Sequence, residues 1–212
     1  GSLFSAIIKQ IPQCQLIGVA DIDAEKANSV AGAYSAMAFT DYRHLLDRDD
    51  VDAVVIAVSE HHHVAPTVAA LKAGKHVLVE KPLASSRADA ATIMEASQKS
   101  SVVTMVGHVL RFDPRYVHAY RAVAEGKIGD IIHVYGRRNI FASTAAVVGE
   151  RTTPTYYTGI HEIDAMHWIV GARIVSVWAQ GTRKVLCHSG ISVDDVVLVN
   201  MRFSNDAVGI LE

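Results

Sequence analysis

His76-Val77-Leu78-Val79-Glu80-Lys81-Pro82-Leu83 is the stretch that decides the fold. Val77, Leu78 and Val79 form a short unbroken apolar run, the pattern of a strand covered on both faces. Pro82 lacks an N–H and has a fixed φ, so strand pairing stops there. It also pushes Lys81 toward an extended backbone. A lysine held at the carboxyl end of an interior strand stands where open α/β sheets bind ligands. An ammonium group is costly to place there without a task, so Lys81 reads as a group that orients a substrate oxygen or handles its proton.

The same pattern repeats outward from this strand. Residues 15–20, 52–58, 75–80 and 101–106 are Val/Ile-rich runs. They alternate with helical patterns at 23–34, 41–46, 64–73 and 87–97. Pro66 sits in the first turn of its helix, and Gly74 marks that helix's end. Regular β–α alternation predicts a doubly wound parallel sheet of the Rossmann kind. Beyond residue 106 the order changes. A helix is expected at 113–125, a long strand at 130–141, a polar connection at 142–158 and a helix at 159–170. Antiparallel strands are expected at 173–185, 193–203 and 207–211, with Ser204-Asn205-Asp206 as a hairpin turn. The predicted fold class is therefore α/β, with a Rossmann domain over 1–106 and an α+β domain with an open, mostly antiparallel sheet over 107–212.

The opening residues add a cofactor. Ser2 to Ile11 reads as an amphipathic helix, followed by the strand Gln15-Leu16-Ile17-Gly18-Val19-Ala20 and then Asp21. In dinucleotide-binding folds an acidic residue about 20 positions after a Gly-rich turn holds the adenosine ribose hydroxyls. Gly1 has that spacing from Asp21 and reads as the last glycine of such a loop, or else as a cloning remnant. Asp21 either holds the ribose or caps the following helix. The chain reads as lacking the first strand of its Rossmann domain and the final part of its second domain.

Bulk properties exclude several classes. With 20 basic and 22 acidic residues, no basic stripe points to nucleic acid or an anionic membrane. No apolar run reaches the ~18 residues of a membrane span, and no signal peptide is visible. Cys14 and Cys187 are the only cysteines, far apart and in no motif, which favours a reducing, cytoplasmic setting. Histidine is abundant, but His61-His62-His63 cannot all converge on one ion from a helix or strand. His161-Glu162-Ile163-Asp164-Ala165-Met166-His167 is not the H-E-x-x-H zinc pattern. No metal is expected.

Taken together, Val19-Ala20-Asp21, Gly74-Lys75-His76-Val77-Leu78-Val79-Glu80-Lys81-Pro82-Leu83-Ala84, Gly107-His108-Val109-Leu110-Arg111-Phe112-Asp113-Pro114 and Gly159-Ile160-His161-Glu162-Ile163-Asp164 resemble the Gfo/Idh/MocA family of nicotinamide-dependent sugar and polyol oxidoreductases. The Glu-Lys-Pro element after a Gly-Lys-His-Val strand is the most specific of these. The resemblance implies a Rossmann domain and a C-terminal sheet domain, with cofactor and substrate meeting between them. It also implies dimers or tetramers formed through the C-terminal sheet. Cofactor contacts are implied at Gly1, Asp21, Ala57, Val58, His63, Glu80 and Lys81. Where the family carries Thr-Pro-Asn-x-x-His, this chain has Val58-Ser59-Glu60-His61-His62-His63 and keeps only the final histidine, which leaves backbone contacts at that loop.

The implied catalytic set is Lys81, His161 and the residue four before it. In the family that residue is aspartate; here it is Tyr157. A phenol titrates near ~10, so it donates a hydrogen bond where the carboxylate would stand as an anion. Hydride transfer at a CH–OH carbon needs a base for the hydroxyl proton, and His161 fits. Lys81 stabilises the developing alkoxide. Arg111 and Asp164 are candidates for substrate contact, Asp164 also for orienting the His161 ring; the alternative is an ordinary ion pair for Arg111 and a solvated helix position for Asp164. Asp21 favours NAD over NADP, because a carboxylate repels a 2′-phosphate. The expected activity is a dehydrogenase acting on a sugar, polyol or nucleotide-sugar. The altered loop and Tyr157 keep a second class in play, a non-catalytic dinucleotide-binding regulator or structural protein.

Overall fold

A computed structural model describes residues 1–148 and 151–212. The chain divides into two units, Gly1–Gly107 and His108–Glu212.

The first unit alternates helix and strand throughout: α1 (Ser2–Ile8), β1 (Gly18–Ala20), α2 (Ala24–Ala33), β2 (Met37–Phe39), α3 (Tyr42–Leu46), β3 (Ala53–Ile56), α4 (Val64–Lys72), β4 (His76–Val79), α5 (Arg87–Gln98) and β5 (Thr104–Val106). Every pairing is parallel, β1 with β2 and then β3, β4 and β5 in that order. The α1 helix ends three residues before the expected Ile11; Pro12 disfavours a helical backbone at Ile11 itself. Helix starts are set by side chains. Asp23 accepts from the N–H groups of Glu25 and Lys26, and Ser86 accepts from that of Asp89. Gly74, at φ +71°, turns the chain from α4 into β4. Val54, Ile56, Val77 and Val79 pack on Ala70, Leu71, Leu46 and Val51, so β3 and β4 sit at the centre of this core.

The second unit contains α6 (Pro114–Ala124), β6 (His133–Gly136), α7 (Ala142–Val148), α8 (Ile160–Val170), β7 (Ile174–Thr182), β8 (Val196–Phe203) and β9 (Val208–Leu211). A π-helical turn, Thr155–Gly159, runs directly into α8. The sheet order is β6-β9-β8-β7, antiparallel except for the β6–β9 pair. The strand expected over 130–141 is corrected to four residues, since β6 pairs only along β9. The polar connection expected over 142–158 holds helix α7 and the π-helical turn; residues 149–150 of it lie outside the described part. The hairpin at Ser204-Asn205-Asp206 forms as expected, with Asp206 at φ 67°, a conformation that aspartate tolerates.

Burial along β8 alternates. Val199, Met201 and Phe203 face Met166 and Val170 of α8, together with Leu211 of β9. Gly136 allows this packing, because a Cβ there would stand 3.1 Å from the Met166 methyl and 3.3 Å from Cβ of Glu162. The other sheet face is open, with Trp178, Leu198, Ile210 and Tyr135 all exposed. No helix among the described residues is long and apolar enough to cross a membrane.

Candidate functional site

The carboxyl ends of β1, β3 and β4 carry the residues singled out in the first unit. Asp21 follows β1 directly. One of its carboxylate oxygens accepts from the Asp23 N–H at 3.0 Å, which shapes the turn into α2. The α2 cap itself is Asp23, so the helix does not depend on Asp21 as its cap. Ala57 and Val58 follow β3, with the Val58 side chain exposed. Gly1 is the residue before α1, and its carbonyl accepts from the Ser5 N–H at 3.1 Å.

After β4 the backbone passes through Glu80, Lys81 and Pro82, and the Lys81–Pro82 peptide bond is cis. Glu80 N–H donates to the Ile56 carbonyl at 2.9 Å, and Gly107 N–H donates to the Val79 carbonyl at 2.7 Å, so the strand pairing persists up to Glu80. The Glu80 carboxylate then turns back and accepts from the Lys81 N–H at 2.9 Å. Lys81 is half-buried, while Pro82 and Ala84 are buried and Leu83 packs on the core.

His63 stands in the loop after β3, at the residue before α4. It is 1% exposed. Nδ1 lies 3.0 Å from the Pro82 carbonyl oxygen and 3.2 Å from that of Leu83, and Nε2 lies 3.0 Å from that of Val58. Its ring therefore meets protein carbonyls on both sides. Lone sequence reading had no signal for this, because the partners lie 19 and 20 residues away.

The second unit holds the remaining residues. Tyr157 lies in the π-helical turn and His161 in the first turn of α8, so the two stand four residues apart on one continuous helical path. π-helical turns inserted in helices are often found at functional positions. Arg111 and Asp164 find each other: Nε donates to Oδ2 at 2.9 Å and a terminal nitrogen donates to Oδ1 at 2.7 Å. This two-point pair occupies both oxygens of Asp164, with His108 Nδ1 a further 3.7 Å from Oδ2. Asp164 thus forms a fork-to-fork ion pair with Arg111. The Arg111 guanidinium also lies 5.7 Å from the Trp168 ring centre, and Trp168 stacks on Tyr120.

A second polar cluster had not been expected. Glu162 is buried beside Arg138, whose Nε donates to it at 2.8 Å, and Tyr116 O–H donates to its other oxygen at 3.2 Å. Burial and the adjacent Glu162 carboxylate push the Tyr116 phenol up. Among the described residues no group of three or more His, Cys, Asp or Glu side chains is placed to hold a metal ion.

The donor set at the strand ends suits a dinucleotide. Asp21 has a second carboxylate oxygen to which ribose hydroxyls could donate, and Val58 after β3 is exposed. Comparison with known proteins agrees. Residues 2–108 match the model of an oxidoreductase family with an NAD-binding Rossmann fold, and residues 116–212 match the GFO/IDH/MocA C-terminal domain. The inositol 2-dehydrogenase of Salmonella typhimurium is 37% identical over 161 residues, 74% of this chain and 47% of that protein. The 2,7-anhydro-N-acetylneuraminate hydratase of Mediterraneibacter gnavus is 27% identical over 100% of this chain and 58% of its own length. The crystal structure of scyllo-inositol dehydrogenase from Lactobacillus casei with bound NAD(H) and scyllo-inositol superposes with a TM-score of 0.84 at 25% identity, covering 100% of this chain and 65% of that one. The chain thus spans about half the length of these curated relatives.

Proposed function

The chain belongs to the Gfo/Idh/MocA oxidoreductase family, and from that premise we propose that it is an NAD-dependent dehydrogenase acting on a CH–OH group of a sugar or polyol, with cyclitols of the inositol type first in line. The observation that carries this reading is the Glu80-Lys81-Pro82 segment at the carboxyl end of β4, with a half-buried lysine braced by its neighbours. Residues 1–106 form the nucleotide-binding part in this proposal and residues 107–212 the substrate-binding and assembly part.

Each residue then has a task. Asp21 accepts from the adenosine ribose hydroxyls, which favours NAD over NADP. Gly1 and the backbone at Ala57 and Val58 line the rest of the cofactor's path. Bound NAD supplies the hydride acceptor at its nicotinamide. The Lys81 ammonium stabilises negative charge as it develops on the substrate oxygen. His161 takes the hydroxyl proton. Tyr157 donates a hydrogen bond to the substrate in place of the family's aspartate. Arg111 and Asp164, already paired, present a mostly neutral, fixed surface to a polyol. A cytoplasmic setting suits this chemistry.

NADH formation with a panel of inositols, aldoses, nucleotide-sugars and an anhydro-sugar, assayed on full-length protein, tests the reading. Turnover of at least one polyol with NAD is expected, with NADP clearly poorer. Tight NADH binding without turnover of any of them would transfer the case to a non-catalytic dinucleotide-binding protein. Conversion of the anhydro-sugar alone would point to the hydratase relative's chemistry.

The open sheet face is proposed to join copies of the chain into a dimer or tetramer. Trp178, Leu198 and Ile210 leave an exposed apolar patch that monomers seldom carry. Strand register puts Trp178 beside Asn200, two residues from Leu198, so both project from the same face. Leu198→Glu combined with Trp178→Ser should lower the mass measured by light scattering to that of a smaller species, with unchanged circular dichroism. An unchanged assembled mass would rule this face out.

A further inference from the structure

We infer that His63 is a positioning residue: its buried ring ties the loop after β3 to the loop after β4 and so fixes where Lys81 stands. The placement of Lys81 follows from geometry alone; its consequence for turnover rests on the dehydrogenase reading above.

Strand pairing between β3 and β4 runs from Ala53 to Ile56, and its last backbone bond is that of Glu80 to Ile56. Beyond it the chains separate. His63, the residue before α4, inserts between them. Carbonyl oxygens only accept, so the ring acts as donor at whichever nitrogen carries the proton, and at both when doubly protonated. On one side it reaches Val58, the first exposed residue after β3. On the other it reaches Pro82 and Leu83, the two residues after Lys81. Pro82 cannot donate from its own backbone, which makes its carbonyl the one main-chain group by which that position can be held.

The other contacts of the segment constrain it unevenly. Glu80 caps the Lys81 N–H from the strand side, and Leu83 packs its side chain on the core. Neither of these grips the carbonyls between them. Removing the ring would leave those carbonyls without their buried donor and give the backbone at Lys81 room to rotate. His63 is rooted at the start of α4, where the Thr67 N–H donates to the His63 carbonyl at 3.2 Å. The strut thus refers Lys81 to the helix packed over β3 and β4.

Three variants separate this from a merely structural role. His63→Leu roughly keeps the volume and removes both ring nitrogens. His63→Asn places an amide N–H where Nδ1 stood, toward Pro82 and Leu83. His63→Gln extends an amide toward Val58 instead. Amide exchange by mass spectrometry on full-length protein should show faster exchange at residues 81–84 in His63→Leu and His63→Gln, by about 10-fold or more, and near-native exchange in His63→Asn. On a polyol that the native enzyme turns over, kcat should fall by about 100-fold in His63→Leu and recover most of that in His63→Asn. The exchange measurement needs no turnover, so it decides the inference even if the dehydrogenase reading fails. Exchange at residues 81–84 unchanged in folded His63→Leu, or equal loss in His63→Asn and His63→Leu, would overturn it.

Discussion

Lys81→Ala should lower kcat for polyol oxidation by about 10²–10³-fold, with NADH affinity changed by no more than a few-fold. The size follows from the task. A cation facing a developing alkoxide contributes chiefly in the transition state, when the charge has formed, so its loss appears in kcat. Folding should tolerate the change, because several bonds at this position do not use the lysine side chain: Lys81 N–H donates to Glu80, and Pro82 and Leu83 carbonyls face His63. Lys81→Arg should rescue little, since a planar guanidinium cannot occupy the place of a compact ammonium on a half-buried loop. His161→Ala gives a useful contrast. Losing the base should leave a rate that rises with external hydroxide, whereas losing Lys81 should not. Steady-state kinetics on full-length protein reads both. A kcat for Lys81→Ala within about 5-fold of native would remove the lysine from the reaction.

How much of this was legible in the chain depends on the distance over which each feature is decided. Strand β4 and the turn after it are local: three successive apolar residues, then a proline, leave few alternatives. The helix starts at Asp23 and Ser86 are equally local, each set by one side chain reaching two or three residues ahead. β2 was missed because Met37-Ala38-Phe39 is too short to show a period; it exists because β1 lies beside it. The over-long strand at 130–141 failed for the opposite reason. Its pattern continued, but β9 offered only four paired positions. At the candidate site, the strand-end residues Asp21, Val58 and Lys81 were visible as residues following apolar runs. The partners of the polar groups were not. Arg111 and Asp164 are 53 residues apart, and His63 and Pro82 are 19 apart, so which carboxylate or carbonyl each meets is settled only by tertiary packing. Tyr157 stands between these cases: its spacing from His161 is local, and the helical path through the π-helical turn keeps it.

Arg138→Met should destabilise the second unit by about 3 kcal/mol, the largest stability loss expected from a single polar residue here. Glu162 is 5% exposed and packs through its Cβ beside Gly136, so its carboxylate cannot swing out to water. Arg138 supplies the only cation that pairs with it among the described residues, at 2.5 Å from one terminal nitrogen and 2.8 Å from Nε. Taking the guanidinium away leaves a charge in a place where the Tyr116 O–H, at 3.2 Å, is its remaining donor. The loss is set at the low end of the range for buried pairs because the Arg138 side chain is itself 31% exposed and some solvent reaches the pair. The sign of the second change is the sharper test. Glu162→Gln in the Arg138→Met background should restore about half of the loss or more, since an amide needs no counter-charge and still accepts from Tyr116. Glu162→Gln alone should be destabilising, because it strands the guanidinium. Urea unfolding of the four proteins forms a double-mutant cycle that gives the coupling directly. If Arg138→Met cost less than about 1 kcal/mol, or if the two changes simply added, the cluster would be a solvated surface pair of ordinary worth rather than the brace between α8 and the segment after β6.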